Sequence, residues 1–203
     1  MNYKKLVQAE AQFLQMYPGG FADPELQEVG KKHRLDKMNA MARDVLAKKQ
    51  FKQPHQLLDN LIKLVSRSSM VSLFEKPKFR DVMNSLPEDE RDAFVQAYRK
   101  LIHGNQQKGL EEAVEILARY KLAKWSLLTI GLIYYRPDDE VFVKPTTAKK
   151  INEGLELGLT YKPRPSWEFY DGYRSAILEI KERVHPSLAV NNAALTGFLM
   201  MTL

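Results

Sequence analysis

Three consecutive acids, Asp138, Asp139 and Glu140, follow the most apolar run of the chain, Trp125–Tyr135, after only two residues. A carboxylate at the mouth of an apolar pocket keeps its proton to a higher pH than usual and can then act as a general acid or base. Asp138 and Asp139 are therefore the candidate catalytic residues. The alternative is that these acids cap the next turn or lie exposed to solvent.

A candidate anion site follows the acids. Lys144 precedes Pro145, which favours an extended backbone at the lysine, and two threonines then open a predicted helix. The free N–H groups at a helix start bind anions, and a nearby lysine adds positive charge. The pattern predicts phosphate binding by Lys144, Thr146, Thr147 and Lys149, although the same residues also suit an ordinary capped helix start.

A third candidate surface interleaves aromatic and basic residues between positions 161 and 174. Aromatic rings stack on nucleic-acid bases, while basic side chains hold the phosphates. The candidate binding residues are Tyr161, Arg164, Trp167 and Arg174. Because the aromatic residues from Trp167 onward also recur at helical spacing, the alternative is one packed face of a helix.

The positive charge of the chain is concentrated in one stretch. Eight basic residues lie between positions 31 and 52: Lys31, Lys32, Arg34, Lys37, Arg43, Lys48, Lys49 and Lys52. Only Asp36 and Asp44 oppose them, so this stretch carries a charge of +6, equal to the net charge of the whole chain. Such a concentration is typical of a phosphate-binding surface, and the candidate contacts are Lys31, Lys32, Arg34, Lys48 and Lys49. The alternative is the solvated face of a helix.

Several classes of chemistry have no residues to support them. The chain contains no cysteine, so disulfides, thiolate zinc sites and cysteine nucleophiles are excluded. Glycine-rich phosphate loops, nucleophile elbows and zinc-protease motifs are also absent, and the four histidines lie apart near predicted helix ends. The sequence predicts neither a metal site nor a cofactor.

The sequence also carries no targeting signal. Polar residues interrupt the N-terminal stretch where a signal peptide needs an unbroken apolar run. The longest apolar run, Trp125–Tyr135, has eleven residues, fewer than the roughly 18 of a membrane span. The expectation is a cytoplasmic protein with no membrane partner.

The apolar spacing predicts an all-α protein, a single domain over residues 1–203 with a possible subdivision near 104–109. About ten helices surround a central apolar helix at 125–135. The predicted helical ranges are 3–17, 24–30, 32–50, 54–66, 78–84, 86–102, 109–120, 125–135, 147–155, 167–184 and 188–201. The one predicted extended stretch is 140–143, too short and solitary to make a sheet.

Two segments carry a resemblance to a known family. FVKPTTAK at 142–149 and YKPRPSWEFY at 161–170 resemble a pattern in a family of uncharacterised helical bacterial proteins. That pattern is a hydrophobic-Lys-Pro motif followed by Tyr-x-Pro-x-Pro-x-Trp/Tyr, and the resemblance extends from about Ala123 to the C-terminus. It implies a shared helical architecture and brings no activity with it.

The order of elements in the second half is similar to that of helix-hairpin-helix DNA glycosylases. The shared order is an amphipathic helix, a tight turn, a tryptophan-led apolar helix, an acidic loop and an aromatic helix. The resemblance implies base excision, with Asp138 or Asp139 assisting water or stabilising a cationic sugar. The chain departs from this family at Tyr120–Trp125, which has no glycine to hold a DNA phosphate, and its acids precede Phe142 where the family would have an acid later.

These observations favour a non-enzymatic nucleic-acid-binding or interaction domain, with a glycosylase-like base-excision enzyme or its inactive relative as the alternative. The predicted partner is nucleic acid, held by the basic stretch. A second predicted partner is another copy of the chain, bound through the apolar segment Leu188–Leu203, whose methionines and phenylalanine suit an adaptable interface.

Overall fold

Eleven α-helices and no strands make up the computed structural model, which describes all 203 residues, of which 72% are helical. The helices are α1 (Tyr3–Met16), α2 (Pro24–Lys31), α3 (Leu35–Val45), α4 (Pro54–Arg67), α5 (Glu75–Ser85), α6 (Glu88–His103), α7 (Gln106–Arg119), α8 (Trp125–Tyr135), α9 (Pro145–Gly154), α10 (Trp167–Lys181) and α11 (Asn192–Thr202). Short 3₁₀ turns lie at Gly20–Ala22, Lys48–Lys52 and Pro186–Leu188. The predicted all-α class is confirmed.

Helix α8 is the buried centre of the fold, and its bounds agree with the predicted ones. Ten of its 11 residues are buried, because the helix is apolar on every side and has no face that favours water. Helices α3, α4 and α7 all pack against it. Gly131 allows Tyr98 of α6 to approach closely, since a Cβ at that position would lie 2.0 Å from the tyrosine hydroxyl.

The connection between α6 and α7, where a subdivision was considered, does not interrupt the packing. A Cβ added at Gly109 would lie 2.2 Å from the backbone nitrogen of Leu101, so the two helices are in backbone contact across this turn. A single hydrophobic core of 52 buried residues includes side chains from both sides of the connection.

The predicted helix over 32–50 is wrong, because the chain breaks it at both ends. Arg34 adopts a left-handed conformation with φ of 46° before α3 begins, and Ala47 is extended before the 3₁₀ turn at Lys48–Lys52. Leu46 and Phe51 are both buried, whereas a continuous helix would place them about 140° apart around its axis. The break lets both side chains enter the core.

Several other boundaries differ from the prediction by a few residues, and two of them have a clear local cause. Pro77 does not precede a helix but lies inside the first turn of α5, where its missing N–H group has no carbonyl partner to lose. The C-terminal helix begins at Asn192 rather than 188, because the side chain of Asn191 caps it by accepting a hydrogen bond of 2.9 Å from the Ala194 amide.

Candidate functional site

A groove of about 320 Å³ lies between the end of α2, the start of α3 and one face of α11. Residues Ser69 and Met70, which follow α4, and the segment from Phe142 to Thr147 complete its walls. We refer to this cavity as the α2–α11 groove. Ten of its 17 lining residues are hydrophobic, so the groove presents a mostly apolar interior.

The rim of the groove exposes apolar side chains that the core does not cover. Val29, Met200 and Met201 line the groove and are between 41% and 48% exposed. The opposite face of α11 is buried through Leu195, Phe198 and other residues against α1, α9 and α10. One face of helix α11 therefore packs against the core, and the other face lines the groove. Methionine side chains are flexible and adapt to ligands of different shapes.

Some polar residues of the groove have hydrogen-bond partners within the chain, and others do not. His33 Nδ1 lies 2.9 Å from Ser69 Oγ, which ties the α2–α3 turn to the segment after α4. The Thr196 hydroxyl donates to the Asn192 carbonyl of its own helix at 3.0 Å. Lys144 is different, because its exposed ammonium belongs to none of the ion pairs within the chain.

The structure divides the predicted anion site. Lys144 and Thr147 line the α2–α11 groove, whereas Thr146 and Lys149 do not. The Lys149 ammonium instead lies 4.8 Å from the centre of the Tyr161 ring. Lys144 takes the N-cap position of α9 with an extended backbone, as Pro145 at the first helical position requires.

Glu140 is the buried acid of the chain, with 2% of its surface exposed. Its Oε1 atom lies 2.7 Å from the Arg136 guanidinium and accepts a hydrogen bond of 2.9 Å from Gln106. Its Oε2 atom accepts a hydrogen bond of 2.7 Å from the Tyr170 hydroxyl and a longer one of 3.4 Å from Arg174. Four donors from α7, α10 and the end of α8 therefore meet on one carboxylate.

The Glu140 cluster joins α7, the end of α8 and α10. A carboxylate has about four acceptor positions, and Glu140 uses all of them within the chain. The amide of Asn192 on α11 also donates to the backbone carbonyl of Glu140 at 2.9 Å. Burial and the neighbouring carboxylate raise the pKa of Tyr170 well above its usual value, so its hydroxyl stays a donor. No acceptor position remains for a substrate.

Asp138 and Asp139, the candidate catalytic residues, lie at the surface of the protein and away from the α2–α11 groove. Asp138 lies 3.0 Å from the Lys181 ammonium at the surface, with 64% of its side chain exposed. The third acid is buried in their place, because the turn after α8 directs Glu140 inward to Arg136 and Tyr170.

The four candidate residues between 161 and 174 are half-buried or exposed, and each contacts other side chains of the chain. Tyr161 packs edge-on against Phe169, and Trp125 donates through Nε1 to the Lys162 carbonyl at 2.9 Å. Arg174 lies over the rings of Trp167 and Tyr170 while pairing with Asp171 at 2.6 Å. Arg164 is exposed and pairs with Glu115. The packed-face alternative describes the arrangement of the aromatic rings.

The basic stretch is distributed over three elements. Lys31 ends α2 and pairs with Glu28, while Lys32 and Arg34 occupy the turn before α3. Lys48 and Lys49 lie in the 3₁₀ turn after α3. All five side chains are exposed, but they do not share one helix face as the sequence predicted.

A comparison with protein-family models, curated proteins and solved structures finds no match to the chain. The resemblances to a helical bacterial family and to DNA glycosylases therefore stay predictions. No helix of the structure is both long and apolar enough to cross a membrane.

Sequence reasoning missed most of the groove. Phe21, Val29, His33 and Met70 come from separate parts of the first half of the chain, and no motif links them. The available signal was the C-terminal apolar segment, whose methionines were singled out as an adaptable surface. Two of these methionines, Met200 and Met201, do line the groove.

Proposed function

We propose that the chain is a non-enzymatic binding protein that holds a small, mostly apolar ligand in the α2–α11 groove. The observation that carries this proposal is the groove itself, with a volume of about 320 Å³ and a mostly hydrophobic lining. Ligand pockets in proteins typically begin at roughly 300 Å³ and combine apolar walls with a few polar groups. Exposed apolar rim residues such as Val29 and Met200 would lose contact with water on binding.

The placement of the acids favours binding over base excision. A general acid or base must lie within hydrogen-bond reach of the substrate. Asp138 and Asp139 lie outside the groove, and the acceptor positions of Glu140 are filled by the chain. The groove therefore combines ligand-sized space with no carboxylate in its walls.

A groove-filling substitution tests the proposal. A Cβ at Gly197 would meet no side chain closer than Phe21, at 3.9 Å, so Gly197→Leu should fill the groove without a clash in the core. Titration of the full chain with 1-octanol, followed by calorimetry, should show saturable binding that Gly197→Leu abolishes. Circular dichroism should remain that of the wild type, because leucine suits a helix better than glycine does.

The matched control is Val190→Leu, which enlarges an exposed apolar side chain outside the groove. This variant should bind 1-octanol like the wild type. Equal binding by wild type and Gly197→Leu would place the ligand elsewhere and contradict the proposal.

A second candidate function, nucleic-acid binding through the basic stretch, is favoured by the free charges there. Lys31 pairs with Glu28, but the other basic side chains between 31 and 52 belong to no ion pair. Lys48, Arg99 and Arg136 all lie within reach of His103, since each of these charges helps to lower the pKa of that residue. Such a group of cations would attract phosphates.

Salt dependence tests this second function. Fluorescence anisotropy with single-stranded and duplex DNA should show binding at about 50 mM salt that weakens as salt rises. Replacing Lys48, Lys49 and Lys52 together by glutamine should remove up to about three phosphate contacts. The plot of log K against log salt concentration should then become less steep. The charge-matched control replaces the exposed Lys4, Lys121 and Lys162. A similar loss in both triple variants would show that only net charge matters.

A further inference from the structure

We infer that the groove ligand is an anionic amphiphile, a medium-chain carboxylate whose head group pairs with Lys144 and whose chain lies on the apolar walls. This inference rests on the proposed function, because it names the class of ligand for the same groove. It goes beyond that function by assigning the sign and position of the head-group charge.

The charge of the residues that line the groove indicates the charge of the ligand. No aspartate, glutamate or arginine lines the groove, and Lys144 is the one residue there with a formal charge at neutral pH. A cationic head group would meet this lysine without a carboxylate to balance it. A neutral ligand would gain nothing from the ammonium, which would stay hydrated at the edge of the groove. An anion is the ligand charge that complements this wall.

The side chain of Lys144 has no partner within the chain, which leaves it available to a ligand. Lys150, on the same helix, donates a hydrogen bond of 2.7 Å to the Met200 carbonyl, and Lys149 lies over the Tyr161 ring. Lys144 has neither kind of partner, and it lies at the groove beside Thr147, whose hydroxyl can donate to a carboxylate oxygen. Of the three lysines at α9, Lys144 is the one without a partner inside the chain, and it is also the one that lines the groove.

The volume of the groove indicates the size of the ligand. Small-molecule sites have volumes of roughly 300–1,000 Å³, and the groove, at about 320 Å³, lies at the lower end of this range. Octanoate, with eight carbon and two oxygen atoms, is a small ligand suited to a site of this size. A partner protein would require roughly 800 Å² of its surface in a stable interface, a larger area than a cavity of this size provides. A small amphiphile is thus the occupant that the dimensions favour.

Three ligands with the same chain separate the head-group inference from the proposed function. Octanoate, 1-octanol and octylamine are titrated into the full chain at pH 7, with binding measured by calorimetry. Octanoate should bind most tightly and octylamine most weakly. Lys144→Gln should weaken octanoate binding by up to about fivefold, because the ion pair of an exposed lysine is lost, and should leave 1-octanol binding unchanged.

The matched control is Lys149→Gln, which removes the same charge from the same helix but outside the groove. Its affinity for octanoate should equal that of the wild type. Thermal unfolding of both variants checks that each remains folded.

Other outcomes would contradict either the carboxylate inference alone or the proposed function as well. If 1-octanol binds as tightly as octanoate, or if Lys144→Gln changes nothing, the carboxylate inference is wrong and the proposed function stands. If none of the three ligands binds, the proposed function fails as well. Concentration-dependent dimerisation that Gly197→Leu abolishes would instead assign the groove to a second copy of the chain.

Discussion

The hydroxyl of Tyr170 donates a hydrogen bond of 2.7 Å to the carboxylate of Glu140, and both side chains are almost completely withdrawn from solvent. This contact joins the acidic turn after α8 to the first turn of α10. Because Arg136, Arg174 and Gln106 converge on the same carboxylate, the contact belongs to a junction of several helices. The same turn leads into the segment that contributes Phe142 and Lys144 to the groove.

Removing either member of this contact should destabilise the fold. Glu140→Gln should lower the free energy of unfolding by about 2–4 kcal/mol, because two arginines lose their buried partner but retain some access to water. Tyr170→Phe should cost about 1.5–3 kcal/mol, the range for a hydrogen bond to a charged group. Urea unfolding of the two single variants and the double variant measures the coupling between them.

Tyr3→Phe is the control for this cycle. The Tyr3 hydroxyl also donates to a glutamate, Glu179, at 2.6 Å, but this contact lies at the surface. Its loss should be clearly smaller than that at Tyr170, because water replaces the partner. Equal losses at the two tyrosines would show that burial does not strengthen the Glu140 contact.

Substitutions at Gly131 and Tyr98 should be strongly coupled, because Tyr98→Phe should relieve the clash that Gly131→Ala creates. Gly131→Ala should destabilise the protein by about 1–3 kcal/mol, because the new Cβ would overlap the Tyr98 hydroxyl. In a Tyr98→Phe background the nearest ring atom would lie 3.2 Å away, so most of this loss should disappear. Urea midpoints of the two singles and the double variant measure the rescue.

Gly30→Ala provides the reference for a helix glycine with free space. A Cβ at Gly30 meets nothing within 4 Å, so alanine should stabilise α2 by up to about 1 kcal/mol. A loss at Gly30 comparable to that at Gly131 would mean that the effect is not caused by the Tyr98 contact.

The effect of the neighbouring cations on the pKa of His103 should be measurable by titration. Burial lowers the pKa of His103, and Lys48, Arg136 and Arg99 lower it further, although the hydrogen bond to the Leu46 carbonyl opposes them. The fold therefore favours the neutral ring, and the stability that this preference contributes is lost as the pH falls below about 6.5, the value expected in the unfolded chain. Ring proton shifts measured by NMR should give a pKa below 6.5.

Lys48→Gln should raise the pKa of His103, because it removes one of the charges that disfavour the protonated ring. Lys162→Gln removes a charge that does not act on this histidine and should leave the titration unchanged. No change in Lys48→Gln would place Lys48 farther from the ring and would weaken the case for a joint cationic surface.

Tyr173→Phe should stabilise the protein or leave it unchanged at neutral pH. The Tyr173 hydroxyl is buried and has no hydrogen-bond partner, so the substitution removes an unsatisfied polar group. Burial also raises the pKa of Tyr173, so the fold holds the neutral form and loses stability as the pH rises above about 10. The variant should reduce that alkaline loss by about 1.4 kcal/mol per pH unit.

Unfolding in urea at pH 7 and at several values between 9 and 11 gives both results. A marked destabilisation at pH 7 would mean that the hydroxyl has a partner. An unchanged alkaline slope would mean that Tyr173 ionises within the fold as readily as in the unfolded chain.

Local patterns predicted the helices well where one signal dominated. The range of α8 is correct because its eleven residues include only two polar ones, Ser126 and Thr129, and leave no face that favours water. The prediction for 32–50 was wrong because its periodicity is continuous, while the extended Ala47 lets Leu46 and Phe51 both enter the core. Local propensity does not contain that tertiary requirement.

The sequence by itself determined the all-α class, the buried central helix and the absence of cysteine chemistry, since these depend on composition and on the spacing of nearby residues. The tertiary structure decided which acid is buried, because the turn after α8 directs Glu140 inward and leaves Asp138 at the surface. It also decided which lysine meets a groove, because Lys144 and Met200 are brought to one cavity from positions 56 residues apart. Side chains that distant in sequence come together only through the packing of whole helices, which no local pattern specifies.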